Sequence, residues 1–197
     1  MESLDIFKIC KEFLNKGKTK TFSKGETIIF EESKGFHVYF ILEGEVNVVF
    51  FTPSGKKIIL STLQQGTFFG EMAVLDELPR SATVEAKTSC KILELSKNDF
   101  LYILQKNPQC TLAILKELCQ RLRNANAKIR LLSIPSAEDR LKEYIELLWA
   151  KAKQQNKPLS LPSHSQIASE IGLSRETVSR TLKKLKLSGW LNSFLED

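Results

Sequence analysis

The 197-residue chain has no apolar run approaching the ~18 residues that a membrane span requires. Its first residues, Met1-Glu2-Ser3-Leu4-Asp5, lack the basic start and apolar stretch of a secretory signal. A cytoplasmic protein is the expectation. Histidine is scarce, and His37 and His164 stand far apart in sequence. The four cysteines, Cys10, Cys90, Cys110 and Cys119, are scattered, and none forms a Cys-x-x-Cys pair. No metal-ligand spacing and no catalytic dyad follows from these residues. The sequence therefore reads as neither a metalloprotein nor an enzyme, with the cysteines as packing residues or surface thiols. Hydrophobic content of 42% and charged content of 26% are those of a soluble globular protein. The length suits one large or two small domains.

What the chain does have is positive charge in one place. The net charge is +6. Between Leu147 and Trp190 lie Lys151, Lys153, Lys157, Arg175, Arg180, Lys183, Lys184 and Lys186, against only Glu170 and Glu176. Such an excess is often a solvated face. It becomes a nucleic-acid footprint when it coincides with a recognition motif.

The most informative stretch runs from Phe69 to Ala86, FGEMAVLDELPRSATVEA. Arg80 offers a planar fork of donors that matches a phosphodiester with one charge and two free oxygens. Ser81 adds a hydroxyl, and Ala82 a backbone N–H. Glu71 can accept from a ribose 2′-hydroxyl. Gly70 and Ala73, flanking Met72, are small enough for a sugar to approach the backbone. This is a pocket for a cyclic nucleotide. The plainer alternative is a β-turn-β segment with Arg80 on its surface.

Around this stretch lie strand-like runs at Thr27–Phe30, His37–Leu42, Val46–Phe51, Lys56–Ser61, Ala82–Ala86 and Cys90–Leu95, after a short N-terminal helix from Leu4 to Asn15. Glycine-bearing turns at Gly25, Gly35, Gly44, Gly55 and Gly66 punctuate them. An antiparallel β-structure, closed or in two layers, is predicted. Asn107-Pro108 opens a long helix. On it Leu115, Leu118, Leu122, Ala125, Ile129 and Leu132 recur at spacings of three and four, a heptad seam for a partner helix or for the helix's own domain. Ser133-Ile134-Pro135-Ser136 ends that helix and forms a short hinge. Ser136 caps the next helix, Ala137 to about Lys153.

The segment Ser165–Arg180, SQIASEIGLSRETVSR, reads as a helix-turn-helix. Small Ala168 permits a close crossing, and Gly172 supplies the turn. Val178 faces a core with Ile167, Ile171 and Leu182. Ser174 caps a recognition helix whose outer face presents Arg175, Glu176, Ser179 and Arg180. Arg pairs bidentately with guanine, and Glu accepts from cytosine N4. The plainer alternative is a helical hairpin with a charged face. Ser165, Gln166, Thr177 and Lys183 complete the expected DNA-contacting set.

The two motifs together make the chain resemble the CRP/FNR family of bacterial transcription regulators, from about Phe22 to Trp190. The resemblance implies an α+β protein. A cyclic-nucleotide-binding β-roll would occupy 1–106, a dimerisation helix 107–134 and a winged helix-turn-helix domain 135–197. It also implies a homodimer that reads a palindromic double-stranded DNA site with half-sites resembling TGTGA, and RNA polymerase as a further partner. Gly70, Glu71, Arg80, Ser81 and Ala82 match the family's ribose-phosphate contacts, and Arg121 matches a helix position near the phosphate. Cyclic AMP is the implied effector. Where the cyclic-AMP-binding branch has neighbouring Thr and Ser hydroxyls, this chain has Ala125 and Asn126, so adenine and guanine both stay open. The cysteine cluster of iron–sulfur members is absent; a haem needs only one axial Cys or His. The family's β-hairpin wing is reduced to a first strand within Leu191–Asp197. Two alternatives stand beside an effector-controlled regulator: a constitutive member that binds DNA without ligand, and a cyclic-nucleotide module serving a partner other than DNA.

Overall fold

The computed structural model describes residues 10–55, 57–154 and 156–194. The chain divides between Cys119 and Gln120 into two compact units.

The first unit opens on helix α1 (Glu12–Lys16). Residues 4–9 of the predicted N-terminal helix lie outside the described residues. There follow β1 (Lys18–Phe22), β2 (Thr27–Ile29), β3 (His37–Glu43), β4 (Glu45–Phe51), β5 (Lys57–Gln64), β6 (Phe68–Phe69), helix α2 (Met72–Leu75), β7 (Thr83–Ala86), β8 (Cys90–Ser96) and helix α3 (Lys97–Lys106). Each strand-like run of the sequence is a strand. Four elements carried too little pattern to be predicted. β1 alternates Lys with Thr, β6 and α2 are very short, and α3 is an amphipathic helix capped by Ser96.

Two four-stranded antiparallel sheets result, in the orders β1-β8-β3-β6 and β2-β7-β4-β5. The pleat sends alternate residues of β3 to opposite faces. Val38 and Phe40 join Phe13, Phe68, Phe100 and Ile103 beneath the helices. Tyr39 and Ile41 join Phe69, Val84 and Ile92 between the sheets. The first sheet is thus covered on both sides, and each large buried side chain contributes about 1.5–3 kcal/mol. β5 is the opposite case. It is an edge strand, and Ile58, Ile59 and Leu60 are all exposed, as are Phe50 and Phe51 on β4. Consecutive exposed residues mean that both faces of the β4–β5 hairpin tip are bare, so the hairpin projects from its sheet as an arm.

Cys10 and Cys110, both buried, form a disulfide with Cα atoms 5.4 Å apart. This corrects the expectation of unpaired thiols. Residues separated by 100 positions become neighbours because the chain before α1 packs into the same core as the start of helix α4 (Pro108–Leu132). Cys90 remains a buried thiol that donates to the Glu45 carbonyl (3.1 Å), and Cys119 is exposed.

Helix α4 belongs to both units. Cys110, Ala113, Ile114 and Leu118 face the β-rich core, while Leu131 enters the core of the second unit. Of the predicted seam, only Leu118 is drawn inward, while Leu115, Leu122, Ala125, Ile129 and Leu132 are exposed. The exposed large apolar residues of α4 are Leu112, Leu115, Leu122, Ile129 and Leu132, and Cys119, Ala125 and Asn126 are exposed as well. Leu112, Leu115, Cys119, Leu122, Asn126 and Ile129 recur at spacings of three and four along one face.

The second unit continues with α5 (Ala137–Gln154), α6 (His164–Ile171) and α7 (Arg175–Leu187). Ser136 Oγ accepts from the Asp139 N–H (3.2 Å), as its spacing predicts. Ser163 and Gln166 form a capping box at α6, a cap the sequence reading missed. Ile167, Ile171, Val178, Leu182 and Leu185 make the core with Leu141, Tyr144 and Ile145 of α5. Beyond α7, the predicted wing strand is instead a 3-10 turn, Trp190–Phe194. Trp190 and Phe194 meet on one side of that turn (4.7 Å between centroids), and Phe194 sets its edge against Trp149 of α5 (5.6 Å). With Leu191 buried in the core, packing decides the conformation where β-propensity alone suggests a strand. Residues 195–197 lie outside the described residues.

Candidate effector and nucleic-acid sites

In the first unit, β6 delivers the chain to Gly70, which sits at φ +76. A Cβ there would stand 2.7 Å from Arg80 Nη1 and 3.3 Å from the Tyr39 ring, so glycine is required for backbone conformation and space alike. The chain then turns through buried Glu71 into α2, where Met72 is exposed and Ala73 buried. A Cβ at Gly35 would lie 2.5 Å from Ala73 Cβ and 3.0 Å from Arg80 Cζ. The residues around Arg80 are small because its guanidinium fills the space.

That guanidinium is buried and already engaged. Nη1 donates to the Gly70 carbonyl (2.5 Å) and Nη2 to the His37 carbonyl (2.8 Å). The ring of Tyr39 lies 5.7 Å from Cζ. The Arg80 backbone is pinned as well: its N–H donates to Ser33 O and its carbonyl accepts from the Glu32 N–H, both at 2.9 Å. Burial pulls Arg80 below its ordinary pKa, and Tyr39 and Glu71 oppose that shift. An arginine has five N–H donors. Two serve carbonyls here, and the other three leave capacity for an anion. Ser81, exposed, places its hydroxyl 3.6 Å from Met72 Sδ, and Ala82 is buried beside it. The first unit therefore gathers Gly70, Glu71, Met72, Ala73, Arg80, Ser81 and Ala82 around one charged fork. Sequence reading missed the partners that hold the fork, Tyr39 and the His37 carbonyl, because a backbone acceptor leaves no mark in residue type. Arg121 and Asn126, the remaining predicted ligand contacts, lie on α4 past the division between units, with Asn126 exposed.

In the second unit, α7 is split lengthwise. Val178, Thr181, Leu182 and Leu185 are buried. Arg175, Glu176, Ser179, Arg180 and Lys183 are exposed and line one surface concavity. Gly172 takes the left-handed conformation (φ +65) that ends α6 and aims the chain into α7. Ser174 Oγ accepts from the Thr177 N–H (3.1 Å) and lies 3.0 Å from Thr177 Oγ1, so these two predicted contacts are engaged in the cap. The backbone N–H of Glu176, the Ser174 hydroxyl and Arg175 hold the Glu176 carboxyl below its usual range. It stays an ionised acceptor, as reading a cytosine amine requires. Gln166 Oε1 is engaged by Ser163 (3.0 Å from N, 2.8 Å from Oγ), while Ser165 is exposed. Lys184 is paired with Glu138 at 2.5 Å. The Tyr144 hydroxyl donates to Glu170 (2.8 Å), and burial followed by that carboxylate raises the phenol's pKa.

The Arg80 contacts generate a stability prediction. Arg80→Leu removes the donors of two part-buried carbonyls, those of Gly70 and His37, at up to about 1–3 kcal/mol for each left unsatisfied. Urea unfolding of the ligand-free chain should show a lower midpoint for Arg80→Leu than for Ser81→Ala, which loses only an exposed hydroxyl. Equal midpoints would mean that the carbonyls are satisfied without Arg80.

The two sites coincide with two family models. The cyclic nucleotide-binding domain matches residues 19–107, and the Crp-like helix-turn-helix domain matches residues 139–194. The cAMP-activated global transcriptional regulator CRP of Salmonella typhimurium is 30% identical over 178 residues, covering 88% of this chain and 85% of the relative. The cyclic AMP receptor protein of Thermus thermophilus is 32% identical over 171 residues, covering 86% and 77%. The crystal structure of the Thermus thermophilus catabolite activator protein superposes with a TM-score of 0.60 at 28% identity, over 94% of this chain and 88% of that one. The chain belongs to the CRP/FNR family of transcription regulators, with a cyclic-nucleotide-binding domain and a Crp-like helix-turn-helix domain.

Proposed function

We propose that this regulator is a homodimer whose affinity for a palindromic DNA site is raised by cyclic AMP. The observation that carries the reading is the double membership of α4, one helix built into both the unit that holds Arg80 and the unit that holds α7. The phosphodiester takes the uncommitted donors of Arg80 with Ser81 and the Ala82 N–H, and Glu71 accepts from the ribose. Asn126 contacts the purine, with Arg121 near the phosphate. Arg175, Glu176, Ser179 and Arg180 read base edges, while Lys183, Ser165, Gln166, Ser174 and Thr177 serve the DNA backbone. RNA polymerase is the further partner. A ligand shifts such an equilibrium only by its differential affinity for the two states, and DNA must raise ligand affinity by the same factor. One observation favours a second reading, constitutive DNA binding: the Arg80 fork is already satisfied in part by Gly70 and His37. Anisotropy with a selected operator, with and without cyclic AMP, separates the two. A ligand-dependent gain, typically about 1–3 kcal/mol of coupling, supports the first. Equal, tight binding without ligand supports the second.

The exposed stripe of α4 supports pairing with a second copy. In a parallel pair Leu115, Leu122 and Ile129 face their own copies. Cys119 and Asn126 fill the alternate positions, where a polar Asn fixes register. Leu122→Glu should give monomers in sedimentation. Mild oxidation should link wild-type chains through Cys119 but leave Cys119→Ser unlinked. A dimeric Leu122→Glu would place the interface elsewhere.

On α7, Glu176→Ala should relax discrimination at one base pair by about 1–3 kcal/mol. Lys183→Ala should instead weaken all sequences alike and lower the salt slope by about 1. Site selection on both variants checks this. An unchanged selected site for Glu176→Ala would remove Glu176 from base reading.

A further inference from the structure

Arg140, on the first turns of α5, reaches both ways out of its helix. Its Nε and Nη2 donate to the carbonyl of Ile134 at 2.9 and 2.6 Å. Its Nη1 donates to the carbonyl of Ile171 at 3.1 Å. Ile134 is the hinge residue before Pro135. Ile171 is the last residue of α6, at the end where helical carbonyls lack intrahelical donors. One planar guanidinium therefore fixes the hinge and the helix-turn-helix turn at a set separation. A second contact runs in parallel. A Cβ on Gly172 would lie 3.1 Å from Leu132 Cδ2, at the end of α4, and 3.8 Å from Arg140 Nη1. The turn that aims α7 is thus seated against the last residue of α4 and against the clamp. Among the described residues, no other side-chain hydrogen bond joins the hinge to this turn.

We propose that Arg140 is the positioning residue through which a displacement at the end of α4 is passed to the recognition helix α7. The proposal rests on the effector-controlled reading above. A movement of Ile134 carries the guanidinium with it, and the guanidinium carries Ile171 and the turn. Lysine at this position keeps the charge, but a single ammonium lacks the planar fork that spans both carbonyls.

The test uses the full chain with Arg140→Lys and Arg140→Met. Operator affinity is measured with and without saturating cyclic AMP. Amide hydrogen exchange of the ligand-free proteins is followed by mass spectrometry. Where wild type shows a ligand effect, typically about 5–150-fold, the ratio for both variants should fall below about twofold. Exchange should quicken at Gly172 and Leu173, whose amides donate to the Ala168 carbonyl, and stay slow at Val178 and Leu182. A variant that keeps the full wild-type ratio overturns the proposal. Exchange that quickens throughout the unit also overturns it, since that marks a merely structural role. If wild type shows no ligand effect, the effector-controlled reading fails. The clamp is then judged on exchange alone: acceleration confined to the turn supports it, and unchanged exchange overturns it.

Discussion

Much of this structure depends on α4 being buried at both ends. Ile114 and Cys110 are inaccessible in the β-rich core, and Leu131 is buried among the helices of the second unit. Extracting either end exposes apolar surface at roughly 25 cal/mol per Å². Helix α4 ends at Leu132. There Pro135 forbids continuation and only 133–136 separate two helices. The outward stripe of α4 is a by-product of the same constraint. Once Ala113, Ile114 and Leu118 are committed inward, Leu112, Leu115, Leu122 and Ile129 are left outside.

Burying Arg80 sets the character of the effector site. An isolated guanidinium in a desolvated site is costly, and here two carbonyls, a tyrosine face and nearby Glu71 offset the cost. The arrangement makes one residue both a structural pin and the candidate anion receptor. Stability and recognition are therefore not separable at Arg80. They are more nearly separable at Ser81, which is exposed and sets its hydroxyl against Met72.

The parts legible in the sequence share a physical cause. Strands β3, β4 and β8 have strong β-branched and aromatic content. The caps at Ser136 and Ser174 depend on local spacing, as does the glycine at position 172. Each is decided within a few residues. The parts that escaped are decided over long distances. Cys10 meets Cys110 only because α1 and α4 share a core. Leu118 leaves the predicted seam because a β-domain core takes it. Trp190–Phe194 turns instead of extending because Trp149 is there to receive Phe194. The exposed face of α7, with Arg175, Glu176, Ser179 and Arg180, was legible because amphipathic division of one helix is a local property. What holds that face in place, through Arg140 and the capping box at Ser163, required backbone carbonyls and a register that sequence does not display.

The β4–β5 arm has a consequence for the life of the chain in a cell. Its tip carries Phe50, Phe51, Ile58, Ile59 and Leu60 exposed, the last three on an edge strand. Such a segment templates strand addition by other chains, and Lys57, paired with Glu85, is the charge nearest the tip on β5. A chain whose arm is uncovered is accordingly adhesive. Its surveillance by chaperones and proteases depends on whether that arm is covered, which ties the abundance of the regulator to the solvation of a single hairpin.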